Sequence, residues 1–149
     1  MTQFITAGAG FLLAVLWFDL MFDVQAAGNR GEALPEPVLA SIAGYYGRVT
    51  TAARPMNRLV AAAMLGTLGS IIAQIARGDR PRSVGWVSLA LAAVPILLAV
   101  VHTVPSAVRL GTRADPIPGQ SALARSILRD HVLCVIAIAA LLVVQLALA

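Results

Sequence analysis

Four long apolar stretches dominate the chain, at roughly Phe4–Val24, Met56–Ala76, Val84–Val104 and Ile127–Ala149. Each supplies about the 20 residues a helix needs to cross a hydrocarbon layer of ~30 Å at 1.5 Å per residue. The runs are continuous rather than alternating, which favours helices over barrel strands. Backbone groups in lipid must be satisfied within their own segment, and a helix does that. The composition is 59% hydrophobic and 12% charged, more apolar surface than a soluble domain of this size can hide. The expected fold is all-α: a single domain over 1–149, built as an integral membrane four-helix transmembrane bundle, with lipid bathing the helix exteriors. The N-terminus, Met-Thr-Gln-Phe, lacks the basic residues of a signal peptide. Its apolar run is long and ends in Asp19 and Asp23, so it reads as a retained first span.

Small residues mark expected helix contacts. Span one carries Ala7, Gly8, Gly10 and Ala14; span two carries Ala62, Gly66 and Ser70 at four-residue spacing. Trp17 near the end of span one fits an interfacial aromatic. Pro95 inside span three removes a backbone donor and crowds the Leu91 carbonyl, which predicts a kink. The long first loop contains Leu34-Pro35-Glu36-Pro37, a helix start. Val38, Leu39, Ile42, Tyr45, Tyr46 and Val49 follow on one face. This predicts a short interfacial amphipathic helix, lying at the membrane surface or packed on the span ends. The third loop is expected from Gly111 to Gln120, and the Arg77–Arg82 connection is short.

Four spans place both termini on one side. The other side, where loops one and three lie, carries Arg30, Arg48, Arg54, Arg58, Arg109, Arg113, Arg125 and Arg129, against Arg77, Arg80 and Arg82 opposite. The positive-inside rule makes the arginine-rich side cytoplasmic, and the expected location is a bacterial inner (cytoplasmic) membrane, multi-pass. The pI of about 10.6 comes from arginine alone. These arginines sit at span ends rather than in an aromatic-laced stripe, so nucleic acid is not an expected partner. The single cysteine, Cys134, excludes an internal disulfide.

Alternating span direction gathers the chemistry-bearing residues into one boundary layer. Asp19 and Asp23 lie one turn apart, as do Arg54 and Arg58 at the start of span two. They form either a two-rung ion-pair ladder between spans one and two or a reactive acid pair. His102 and His131 fall in the same layer and are candidate general bases, with Asp19 or Asp23 as partner. No ligand spacing supports a metal, and no phosphate loop, haem motif or nucleophile elbow occurs, so no cofactor is expected. No span is lined with polar residues from end to end, as a pore or proton relay requires.

Val101-His102-Thr103-Val104-Pro105, Leu110, the Gly/Asp/Pro loop and Arg125 through Asp130-His131-Val132 resemble the anthrone oxygenase-like family of small four-span membrane proteins. Asn57, just after the first loop, is similar to an asparagine that often precedes the family's second span. In that family tryptophans precede the span-four histidine and an arginine follows it; here Ile127, Leu128 and Cys134 occupy those neighbourhoods. The resemblance implies a cofactor-independent oxygenase acting on a lipophilic substrate at the polar-side boundary. It suggests Asn57, His102 and His131 as site residues, with His131 or His102 as base; Arg54 and Arg109, in the same boundary layer, are further candidates to face the substrate with Asn57. The small-residue faces point instead to a structural or accessory subunit, self-associating or bound to another membrane protein in the lipid bilayer. The missing parts of the family's polar pattern favour this second class.

Overall fold

The computed structural model describes residues 1–29, 31–52 and 54–148; the side chain of Arg54 lies outside the described residues, as does Arg30. The chain folds into helices α1 (Thr2–Asp23), α2 (Glu36–Gly47), α3 (Arg54–Arg77), α4 (Arg82–Leu98), α5 (Val104–Thr112) and α6 (Ile117–Ala147), with no strand among the described residues. A short 3₁₀ turn, Val24–Ala26, ends α1. Widened π-helical turns at Arg48–Ala52 and Ala99–Thr103 precede α3 and α5. The segments Thr2–Ala26, Pro55–Arg77, Arg82–Thr112 and Ile117–Ala147 are each long and apolar enough to cross a membrane. The fold is therefore an all-α four-helix bundle with one additional helix, α2.

Spans three and four run further than their apolar stretches. The expected third loop shrinks to Arg113–Pro116. Pro95 is carried inside α4, and the irregular turn follows it at Ala99–Thr103. That wider turn also lets helix continue past Pro105, whose ring would otherwise crowd the carbonyl four residues earlier. Pro118 sits in the first turn of α6, where its missing N–H would have no partner in any case. Arg113 closes α5 in the left-handed region, φ 53°. Its guanidinium meets Glu36 at 2.7 Å and holds that carboxyl below the usual carboxylate range.

Two apolar clusters build the molecule. The membrane cluster centres on Ile5, Ala9, Leu12, Ile71, Ala92, Ile138 and Leu141 from the four spans. Between helices already in lipid there is little hydrophobic driving force, so close packing and polar bonds must hold them. Gly8 supplies the close approach in α1: a Cβ there would lie 2.1 Å from Thr67 Oγ1. A Cβ at Gly10 would meet nothing within 4 Å. At the short-loop end the Gln74 and Gln145 side chains bond reciprocally at 3.3 and 3.2 Å, and Gln145 also donates to Ser88 at 2.8 Å.

The second cluster covers α2. Leu39, Ile42, Ala43 and Tyr46 are buried against Ala107, Leu110, Ala124 and Ile127. The predicted amphipathic helix exists, and its apolar face is covered by α5 and α6 rather than by lipid. Burying each of its large side chains contributes roughly 1.5–3 kcal/mol. The expected contact row on α3 turns the other way. Ala62 and Gly66 are exposed, and Thr67, Ile71 and Gln74 make the contacts within the bundle.

Candidate functional site

α1, α2 and α6 converge at the arginine-rich end, where their polar side chains form one connected group. Asp23 is fully buried and accepts two hydrogen bonds. Tyr46 donates its hydroxyl to Asp23 Oδ1 at 2.7 Å, and His131 Nδ1 lies 2.6 Å from Oδ2. Tyr46 Oη is also 3.4 Å from His131 Nδ1. One turn deeper into the bundle, Tyr45 donates to Asp19 Oδ1 at 2.7 Å, and Asp19 Oδ2 stands 3.9 Å from His131 Nε2. Phe22 stacks on Tyr45 with ring centroids 4.1 Å apart, fixing that ring.

The Asp23 contact fixes the imidazole. With a carboxylate at 2.6 Å, Nδ1 carries the proton, so in the neutral ring the lone pair is on Nε2. Nε2 makes no hydrogen bond among the described residues. Its ring lines an apolar cavity of about 130 Å³ between α1, α3, the α4–α5 junction and α6. Asp19, Thr103 and Cys134 share that lining with Leu12, Met64 and Ile96. The arrangement is an oriented base facing an apolar chamber, with a second carboxylate 3.9 Å across the opening.

The sequence-predicted residues separate into two groups. Asp19, Asp23 and His131 come together. His102 does not join them: its half-exposed ring binds Asp130 Oδ2 at 2.7 Å, and Thr103 donates to the same oxygen at 2.8 Å. Asn57 is exposed and donates to the Thr50 carbonyl at 3.0 Å, capping the π turn before α3. Arg109 is exposed and pairs with Asp115 through contacts of 2.5 and 2.7 Å. Neither lines the cavity. The described partners of Asp19 and Asp23 are tyrosines and histidine rather than Arg58. Asp19 and Asp23 pair with His131, and Arg58 points outward; the Arg54 side chain lies outside the described residues. α2 folds over the end of α1 and brings hydroxyl donors to both carboxylates. Among the described residues no group of three or more His, Cys, Asp or Glu side chains is placed to hold a metal ion.

No family model, no curated protein and no solved structure matches this chain. The site is therefore read from its own geometry.

Tyr45 and Tyr46 are the residues that sequence reasoning placed only on an apolar face. A buried tyrosine needs a partner for its hydroxyl, and two buried carboxyls need donors. That complementarity was the available signal. Burial, followed by the neighbouring carboxylates, pushes both phenols above their ordinary value. A group raised on folding supports the fold below its unfolded pKa, and the support is lost as pH rises. Docking of α2 should therefore weaken only above about pH 10, the ordinary tyrosine range. Because the chain has only two tyrosines, alkaline absorbance titration reads the site directly. The expected result is no tyrosinate signal until well above pH 10, arriving together with unfolding. A normal titration of either ring would contradict the structure.

Proposed function

We propose that this chain is a small membrane enzyme that removes a proton from a weakly acidic, lipophilic molecule. The observation that supports this reading is the unpartnered Nε2 of His131, oriented by Asp23 and facing an apolar cavity. A substrate hydroxyl or activated C–H would enter the gap between Nε2 and Asp19 Oδ2. Nε2 takes the proton, and the imidazolium then sits between two carboxylates, a preorganised setting for the developing charge. The resemblance to the anthrone oxygenase-like family extends this to oxygenation. The carbanion reacts with dioxygen, and a CH₂ group plus O₂ becomes C=O plus water without a cofactor. In this reading Arg109 does not steady the oxyanion, because it is occupied by Asp115. The location proposed is a bacterial inner membrane, with the site at its cytoplasmic face.

The test is dioxygen uptake by the full chain in lipid nanodiscs supplied in parallel with a one-ring lipophilic phenol and with the tricycle anthrone, uptake with either one counting. General-base catalysis contributes about 10²–10⁴-fold. His131→Gln should therefore abolish uptake by at least about a hundredfold, while His102→Gln should leave it nearly intact. Equal uptake by wild type and His131→Gln would refute the proposal.

A second reading has one observation in its favour. Ala62 and Gly66 face outward on α3 with open space over Gly66, the surface a second helix in lipid could approach closely. If the chain self-associates there, Gly66→Leu converts an oligomer in mild detergent to a monomer. A wild-type protein already monomeric by native mass spectrometry would end this reading.

A further inference from the structure

We infer that the cavity takes the ring of a monocyclic phenol bearing one hydrocarbon tail, and admits it sideways from the bilayer past Val104. This rests on His131 as the proton acceptor and names the class of molecule it serves.

Size sets the first limit. An apolar cavity of about 150 Å³ admits benzene, and this one measures about 130 Å³. One ring fills it; a fused tricycle does not fit.

Access sets the second. From the arginine-rich side the chamber is roofed, since Tyr46 is 2% exposed and Asp23 is 0% exposed. On the flank between α3 and the α4–α5 junction the wall is thin. Val104 lines the cavity and is also 49% exposed on the outer, lipid-facing surface. Met64 and Ile96, its neighbours in the lining, are only half-buried. The wall is formed there by the π-helical turn Ala99–Thr103, a type of irregularity often found at functional sites. A molecule dissolved in lipid has a path that one dissolved in water lacks.

Polarity sets the third. His131 Nε2 and Asp19 Oδ2 lie at one end of the chamber, and most of the remaining lining is aliphatic. Thr103 Oγ1 is already committed to Asp130. The occupant should carry one hydroxyl, donated to Nε2, and be apolar elsewhere. Its tail would leave past Val104 into the bilayer. A second hydroxyl para to the first would lie among aliphatic side chains away from Asp19, and a buried hydroxyl without a partner is disfavoured by about tenfold or more.

Cys134 makes the test direct, because it is the chain's only cysteine and lines the cavity. The full chain in nanodiscs is alkylated with N-ethylmaleimide, and labelling is followed by mass spectrometry with and without para-hexylphenol. The phenol should slow labelling at least tenfold. Hexylbenzene, hexylhydroquinone and anthrone should each protect far less. Val104→Trp should close the path and slow labelling of the empty protein. Should the thiol prove inert, the resonance of isotope-labelled His131 reports the same contact and should move with para-hexylphenol alone. Protection by anthrone equal to that by para-hexylphenol overturns the inference, as does a Val104→Trp protein that labels and binds like wild type. If para-hexylphenol neither protects nor shifts His131 while His131→Gln still abolishes dioxygen uptake with anthrone, this inference falls and the proton-acceptor reading stands. If both signals are absent, both fall.

Discussion

Asp23→Ala should cost this protein more stability than any other single substitution in the site, roughly 2–6 kcal/mol. Asp23 is fully buried and is the acceptor for both Tyr46 and His131. Removing it deletes both short bonds and leaves Tyr46 Oη and His131 Nδ1 with only their mutual contact at 3.4 Å, at about 1–3 kcal/mol for each group. The tie from α1 to both α2 and α6 goes with it. Asp23→Asn separates stability from function. Its amide oxygen still accepts from Tyr46, but its NH₂ now faces Nδ1, which must become the acceptor. The imidazole proton then moves to Nε2, and the lone pair leaves the cavity. The expected outcome is a stability loss near ~1 kcal/mol, a typical net value for a hydrogen bond, with loss of proton-accepting activity as large as that of His131→Gln. Thermal unfolding in detergent measures the first effect. The histidine nitrogen shifts measure the second without any substrate, by showing which ring nitrogen is protonated. If Asp23→Asn leaves the tautomer unchanged, Asp23 is not the orienting group.

The bundle was legible because its signal is physical and repetitive: each span is a run of apolar residues as long as a bilayer is thick. The boundaries of spans three and four were less so. Hydropathy marks where lipid ends, whereas α6 starts ten residues earlier, at Ile117 rather than Ile127, because helix continues beyond the membrane wherever other protein covers it. Asp19, Asp23 and His131 could be placed in one layer from the alternation of span direction. Which side chains would meet could not, because that depends on rotation about each helix axis. Small residues alone do not set that rotation: the row through Ala62 and Gly66 faces outward, and Gly8 opposite Thr67 makes the contact. His102 shows the same ambiguity. It shares the depth of His131 but sits on a widened turn that directs it to Asp130. The tyrosines were on the predicted helix yet not in the predicted site, since nothing local to residues 45 and 46 says that α2 closes over the end of α1.

That closure depends on a backbone contact no side chain advertises, and substituting Gly111 should expose it. A Cβ at position 111 would lie 2.8 Å from Gly47 N and 3.0 Å from Gly47 Cα, with the Tyr46 carbonyl carbon at 3.3 Å. All three are main-chain atoms, which cannot swing aside as a side chain would. Two effects compete in Gly111→Ala. Helix propensity favours alanine over glycine by about 1 kcal/mol. Overpacking against a fixed neighbour costs typically 1–3 kcal/mol, and here it acts on α2 as a whole. The clash should win, because relief requires moving the helix that carries Tyr45 and Tyr46 away from carboxyls held at 2.7 Å. Gly47→Ala is the matched control across the same contact. Its Cβ would meet only the Gly111 carbonyl oxygen at 3.5 Å, an ordinary contact, so propensity should prevail and stability should hold or rise. The sign should therefore reverse between two glycines that touch each other. The tyrosines report the cause. In Gly111→Ala their ionisation should move down toward the free-tyrosine range while α1, α3, α4 and α6 stay assembled; in Gly47→Ala it should remain high. Were Gly111→Ala as stable as Gly47→Ala, with both phenols still resisting ionisation, α2 would not be held to α5 at this crossing, and the roof over His131 would have to be secured elsewhere.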